Sequence, residues 1–180
     1  GAKMGGMHAH VILAAGQGTR MRSRLPKVLH PLLGKPMLLY ALEAALALKP
    51  ERLVVVVGHG GEKVVEALEG YPVEVAWQKE QLGTAHALLQ AEGLLRDFPG
   101  PFLVTQGDTP LLSPRTLEAL LRRVREGAGM ALLTAELPDP TGYGRILRER
   151  EEVLGNVEEK DAPPEVRAIR EVNAGAYAFD

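Results

Sequence analysis

The sequence predicts an α/β domain built on a mostly parallel central sheet, and three observations carry that prediction. Short apolar runs such as Leu53-Val-Val-Val-Val57 have the length and continuous hydrophobicity of strands buried on both faces. Longer stretches with apolar residues at helical spacing, such as Pro114–Arg125, separate those runs. The two patterns alternate along the chain, which is the order that builds crossover units and a parallel sheet.

Taken in order, strands are expected at His10–Ala15, Leu53–Val57, Val73–Trp77, Phe102–Thr105 and Met130–Ala135, as a pair around Arg145–Leu147 and Val153–Val157, and at Val172–Phe179. Helices are expected at Met37–Ala47, Glu62–Leu68, Thr84–Leu95 and Pro114–Arg125. The last has the clearest punctuation: Ser113 can cap it, Pro114 occupies its first turn and Gly127 stands just beyond its end. Alternation along the third strand turns Trp77 away from Gln78 and predicts that the indole enters the core.

Composition narrows the functional classes. A chain of 180 residues, 46% hydrophobic and 24% charged, can bury a full core without disulfides or a structural metal. It has no cysteine, which rules out thiolate catalysis. A net charge of -2 and an isoelectric point near 6.3 provide no global basic field, so nucleic acid is not an expected partner and any anionic ligand must meet local cations. No apolar run approaches the roughly 20 residues of a spanning helix, and no signal-peptide pattern is present; a cytoplasmic protein with no membrane partner is expected. Residues 1–6 (Gly-Ala-Lys-Met-Gly-Gly) show no periodicity and precede Met7, so they are read as a cloning remnant, with the domain occupying residues 7–180.

Chemistry enters at Val11-Ile-Leu-Ala-Ala-Gly-Gln-Gly-Thr-Arg-Met-Arg-Ser-Arg-Leu-Pro-Lys27. Gly16 and Gly18 allow a tight turn whose bare amides can face an anion, and Arg20 and Lys27 add two full charges beyond it. The pattern is neither a Walker loop, which needs Gly-Lys-Ser/Thr, nor the dinucleotide fingerprint, because Met21 stands where a third glycine belongs. Asp108 follows the Phe102–Thr105 strand and sits next to Gly107. A single carboxylate so placed is enough for magnesium, which fills its shell with water and substrate phosphates. Ligands of such sheets gather beyond the carboxyl ends of the strands, and the segments around Gly16, Gln78 and Asp108 all lie at such ends.

The histidines carry less. His8, His10, His30, His59 and His86 show no zinc-ligand spacing, and His86 is expected to pack rather than to move protons.

The ordered set of motifs is more specific than any one of them. Leu13-Ala-Ala-Gly-Gln-Gly-Thr-Arg-Met with Leu25-Pro-Lys27, Gln78 to Ala87, Gly107-Asp-Thr-Pro-Leu111, Gly142-Tyr-Gly-Arg-Ile146, Val157-Glu-Glu-Lys-Asp-Ala162 and Glu171-Val-Asn-Ala-Gly175 follow one another along the chain. Together they resemble the sugar-1-phosphate nucleotidyltransferases, and among them the uridylyltransferase half of the bacterial bifunctional N-acetylglucosamine-1-phosphate uridylyltransferase/glucosamine-1-phosphate acetyltransferases. The resemblance implies a Rossmann-like nucleotidyltransferase domain with UTP and N-acetylglucosamine 1-phosphate as substrates and magnesium as cofactor. It assigns the nucleotide to Leu13, Ala14, Ala15, Gly16, Gly18, Gln78, Gly83 and Thr84, and catalysis to Arg20, Lys27 and Asp108, the last also binding the metal. It assigns the sugar phosphate to Gly144, Glu158 and Asn173.

The residue types suit those roles. A carboxamide such as Gln78 carries both a donor and an acceptor for a uracil edge, a carboxylate accepts from vicinal hydroxyls, and a glycine at 144 is expected to admit the sugar ring or its acetamide. Spacing to Asp161 favours Glu158 over Glu159. The resemblance further implies that the domain continues past Asp180, so the chain is read as truncated at its C-terminus, without the acetyltransferase or the trimer of the longer proteins, and as a monomer. A dTTP-, CTP- or GTP-dependent transferase and a non-catalytic nucleotide-sugar-binding module remain the alternatives.

Overall fold

The computed structural model describes residues 7–15, 25–58, 60–78, 84–109, 112–141, 143–150 and 152–180, the side chains of 84–88, 92 and 152 excepted. The elements run in order as β1 (Ala9–Ala14), a 3-10 helix at Lys27–Leu29, β2 (Pro31–Leu32), β3 (Lys35–Pro36), α1 (Met37–Ala47), β4 (Arg52–Val57), α2 (Glu62–Ala67), β5 (Glu74–Trp77) and α3 (Thr84–Leu95). They continue as β6 (Phe102–Gln106), α4 (Pro114–Arg125), β7 (Met130–Glu136), β8 (Arg145–Glu149), β9 (Glu152–Val157), a 3-10 turn at Glu159–Asp161, α5 (Pro164–Arg167) and β10 (Glu171–Phe179). Contacts divide the chain into two compact units, residues 1–131 with Tyr177–Asp180, and Leu132–Ala176.

In the first unit β5, β4, β1 and β6 lie side by side in that order, all parallel, and Tyr177 to Phe179 add an antiparallel segment on β6. Alternation along each strand builds a core on both faces. Ile12, Ala14, Val55 and Val57 pack on one face with Leu38 and Leu42 of α1 and Val64 of α2. Val11, Leu13, Val54 and Val56 pack on the other with Ala91 and Leu95 of α3. Burial on both faces is why the β4 run is uninterrupted in its hydrophobicity. Helix α4 opens as expected, with the Ser113 hydroxyl accepting from the Thr116 amide at 3.2 Å, and buries Leu117, Leu120, Leu121 and Val124.

The chain moves from β1 to β4 and β5 on one side and then returns to place β6 on the other side of β1. The carboxyl ends of β1 and β6 therefore flank the switch in strand order, where open α/β sheets bind their ligands.

The second unit is antiparallel. β8 and β9 form a hairpin with an irregularity between Leu147 and Arg148, and β10 pairs with β8 at Val172 and Arg145. Among the described residues Arg145 is the largest side chain fully buried, at 2% exposure. Its guanidinium donates to the Tyr143 and Arg167 carbonyls and pairs with Glu159 at 3.2 Å, so a charge that is costly to bury is matched from three directions. This ties the Glu159–Asp161 turn and α5 to the start of β8.

Two features differ from the sequence expectation. Trp77 does not enter the core: it is 43% exposed, because β5 is the edge strand and the indole lies at its end over the Gly61 turn. The β2–β3 hairpin and α5 have no counterpart in the sequence pattern, since strands of two residues and a helix of four are too short to carry a period. Among the described residues no helix is long and apolar enough to cross a membrane.

Candidate functional site

The carboxyl edge of the parallel sheet gathers most of the described nucleotide-side residues. Leu13 and Ala14 end β1, Ala15 follows it, and all three are buried. The Leu13 carbonyl accepts from the Gly107 amide at 2.9 Å, one step beyond the last β1–β6 register pair, Leu13 with Gln106. A Cβ on Gly107 would stand 3.0 Å from Val28 Cγ1 and 3.3 Å from Leu38 Cδ1, so the glycine lets the end of β6 close against the 3-10 helix and α1. That closure places Asp108 beside Lys27. The Lys27 ammonium stands 3.0 Å from Asp108 Oδ2, with both side chains partly exposed. An ion pair this open to water contributes no more than about 1 kcal/mol to folding, so its geometry matters more for what the two groups can meet than for stability.

The 3-10 helix that holds Lys27 follows Pro26 and is anchored by backbone bonds from Leu29 to Pro26 and from His30 to Lys27, at 2.9 and 3.0 Å. His30 Nε2 donates to the Leu25 carbonyl at 3.1 Å, fixing the approach to the helix. On the other side of β1, the Gln78 backbone amide donates to the Val57 carbonyl at 2.7 Å, and the residue is only 4% exposed. A polar residue at a strand end is ordinarily exposed; Gln78, just past β5, is buried. Thr84 opens α3. Gly16, Gly18, Arg20 and Gly83 lie outside the described residues.

The residues that the sequence motifs assign to the sugar, Gly144, Glu158 and Asn173, all lie in the second unit. The Asn173 amide donates to the Gly144 carbonyl at 3.1 Å, and Asn173 Oδ1 accepts from the Gly175 amide at 2.8 Å. Glu158 and Glu159 have different surroundings: Glu159 is held by buried Arg145, whereas Glu158 Oε1 accepts from Asn156 Nδ2 at 2.9 Å. Gly144 does not leave open room for a ring on the side where its Cβ would point. A Cβ there would meet Asn156 Oδ1 at 2.5 Å, so the carboxamide fills that notch from within the protein. Sequence reasoning misses Asn156. Its one signal is a polar residue two positions before Glu158, on the same face of an extended chain.

A divalent cation is compatible with this donor set. Among the described residues no group of three or more His, Asp or Glu could enclose a metal, and Asp108 provides one partly exposed carboxylate at the sheet edge. This is the kind of site magnesium uses when substrate phosphates complete its shell. A cavity of about 670 Å³ on the α3 side, lined among others by Val11, Leu95, Phe102 and Phe179, contains none of the site residues named above and is not the candidate site.

Residues 10–170 match the family described as the MobA-like NTP transferase domain. The chain is 99% identical over 174 residues to the bifunctional protein GlmU of Thermus thermophilus, covering 97% of this chain and 38% of that protein. It is 54% identical over 173 residues to the bifunctional protein GlmU of Syntrophotalea carbinolica, covering 96% of this chain and 37% of that protein. The chain thus spans less than two fifths of the length of these curated relatives. A solved UDP-glucose pyrophosphorylase in complex with UDP-glucose superposes with a TM-score of 0.77 at 22% identity, over 96% of this chain and 76% of that one, a likeness of fold.

Proposed function

Because the chain belongs to the MobA-like NTP transferase domain family, we propose that it transfers UMP from UTP to N-acetylglucosamine 1-phosphate, giving UDP-N-acetylglucosamine and pyrophosphate. The observation that carries this reading is the meeting of Lys27 and Asp108 at the carboxyl edge of the sheet, beside the end of β1 and with buried Gln78 at the end of β5. The GlmU relatives support the choice of substrates, since near-identity of 99% extends over all the motifs.

A phosphate oxygen of the sugar phosphate attacks the α-phosphorus of UTP in line, the bond to the β-phosphate breaks, and pyrophosphate leaves. The nucleophile is already an anion, so no strong general base is needed and rate comes from positioning and charge neutralisation. Lys27 and Arg20 offset the charge of the triphosphate and of the departing pyrophosphate. A divalent metal held by Asp108, magnesium in this reading, supplies further neutralisation of the phosphates when bound. Gln78, Gly83 and Thr84 read the uracil, Leu13 to Gly16 and Gly18 hold the nucleotide by backbone, and Gly144, Glu158 and Asn173 serve the sugar phosphate. Both substrates are intracellular metabolites, so this reading sets the reaction in the cytoplasm.

The test is pyrophosphate release from UTP and N-acetylglucosamine 1-phosphate with magnesium, compared with GTP, CTP and dTTP. UTP should be preferred, and Lys27→Ala and Asp108→Ala should each slow turnover by roughly 10²–10³-fold, as expected when one stabiliser of transition-state charge is lost. Equal use of GTP and UTP, or near-normal turnover in Lys27→Ala with an unchanged melting temperature, contradicts the proposal.

A further inference from the structure

We propose that Asn156 is a positioning residue for the sugar-side carboxylate: it holds Glu158 in place for a hydroxyl-bearing ligand, using the notch that Gly144 leaves for it. The inference rests on the sugar-side reading given above and adds to it a residue outside that set.

Glu158 is exposed and has three rotatable bonds, so an unrestrained side chain must be ordered each time it accepts a hydroxyl. Asn156 does that ordering in advance. Asn156 lies on β9, opposite Ile146 of β8, and Glu158 follows two residues later in extended conformation (φ -65, ψ 147), which puts the two side chains on one face. Asn156 Nδ2 donates to Glu158 Oε1 at 2.9 Å. A carboxylate accepts through both oxygens, so this bond fixes the group and leaves Oε2 and part of Oε1 able to receive two neighbouring hydroxyls.

The carboxamide is itself confined. Gly144 precedes β8, and a Cβ on it would approach Asn156 Oδ1 to 2.5 Å and Nδ2 to 3.0 Å. The same Gly144 takes the Asn173 amide on its carbonyl. Gly144 and Glu158, which the motifs assign to the sugar one by one, therefore share Asn156 as a neighbour, and Asn173 bonds the same Gly144. Glu159 cannot exchange roles with Glu158, because buried Arg145 engages it.

Isothermal titration of the chain with UDP-N-acetylglucosamine and with UDP separates the sugar contribution from the nucleotide contribution. Asn156→Leu, which keeps the branched shape and removes the donor, should weaken UDP-N-acetylglucosamine by about three- to tenfold, the factor expected for ordering one long side chain, with UDP affinity unchanged. Asn156→Asp should weaken it further, because two carboxylates then face each other. Glu158→Gln is the reference for loss of the carboxylate. If Glu158→Gln loses sugar-dependent affinity and both Asn156 variants bind as the unaltered chain does, the positioning role is overturned. If Asn156→Leu weakens both ligands alike, Asn156 is a structural residue and the proposal fails. If Glu158→Gln changes nothing, the sugar-side reading itself falls, and this inference with it.

Discussion

His10 shows how much one buried side chain can weigh. It is fully buried on β1, Nε2 pairs with Thr105 Oγ1 of β6 at 2.8 Å, and Nδ1 has no partner among the described residues. Burial, with a smaller contribution from His8, holds its pKa down to about 3. The folded protein therefore keeps this imidazole neutral, whereas the unfolded chain protonates it near the ordinary value of 6.5. Between those two values the unfolded state binds the extra proton, so stability is full above pH 6.5 and falls as pH drops toward 3, by up to about 1.4 kcal/mol per pH unit. Urea unfolding at pH 7.5, 6.0 and 5.0 should show this loss, and His10→Gln should have a shallower dependence between pH 6.5 and 5, a range above the titration of ordinary carboxylates. An identical slope in the variant would place the acid sensitivity elsewhere. His10 is a core histidine; the side chain of His86, expected from the sequence to pack, lies outside the described residues.

Among elements, the β2–β3 hairpin carries an unfavourable piece of local chemistry. Its two central residues, Leu33 and Gly34, both have positive φ, 52° and 81°. Paired strands joined by two such residues want Asn-Gly or Asp-Gly, because a leucine in the left-handed region costs about 1 kcal/mol or more in steric strain. Leu33 buries nothing in return, being 93% exposed. Leu33→Asn should therefore raise the melting temperature by about 1–4 °C, given the usual 2–4 °C per kcal/mol for a chain of this size. Calorimetry decides it, and an unchanged or lower value would mean that the leucine side chain contributes contacts worth as much as the strain. The long elements behave differently. Met37–Ala47, Thr84–Leu95 and Pro114–Arg125 have the same bounds in the sequence pattern and in the structure, because each spans enough turns for its apolar spacing to register. The Gly-Tyr-Gly-Arg motif is legible in the sequence, but the reason for its arginine is not: Arg145 is a buried tie between segments far apart in sequence.

For the whole molecule, the described residues proposed to hold the nucleotide belong to one compact unit and those proposed to hold the sugar to the other. This separation has a measurable consequence under the proposed function. In hydrogen exchange, UTP should slow the amides around 13–15, 27–29 and 107–109, and UDP-N-acetylglucosamine should add protection around 144–146, 156–158 and 172–175. Protection spread evenly over both units by UTP alone would contradict the assignment of residues to substrates. No shift of composition marks the boundary near residue 131, since β7 continues the strand–helix alternation that precedes it.

The sequence by itself determined the alternation of strands and helices and Asp108 just past a strand end, because each depends on neighbours within a few positions. Strand order made the rest. Trp77 faces outward because β5 is an edge, which periodicity along one strand cannot report. Lys27 reaches Asp108 because β6 lies beside β1 and Gly107 lets their ends close together. Asn156 meets Gly144 because the β8–β9 register aligns them. These contacts join residues whose separation along the chain carries no period, so their distances follow from pairing and register, which only the folded sheet defines.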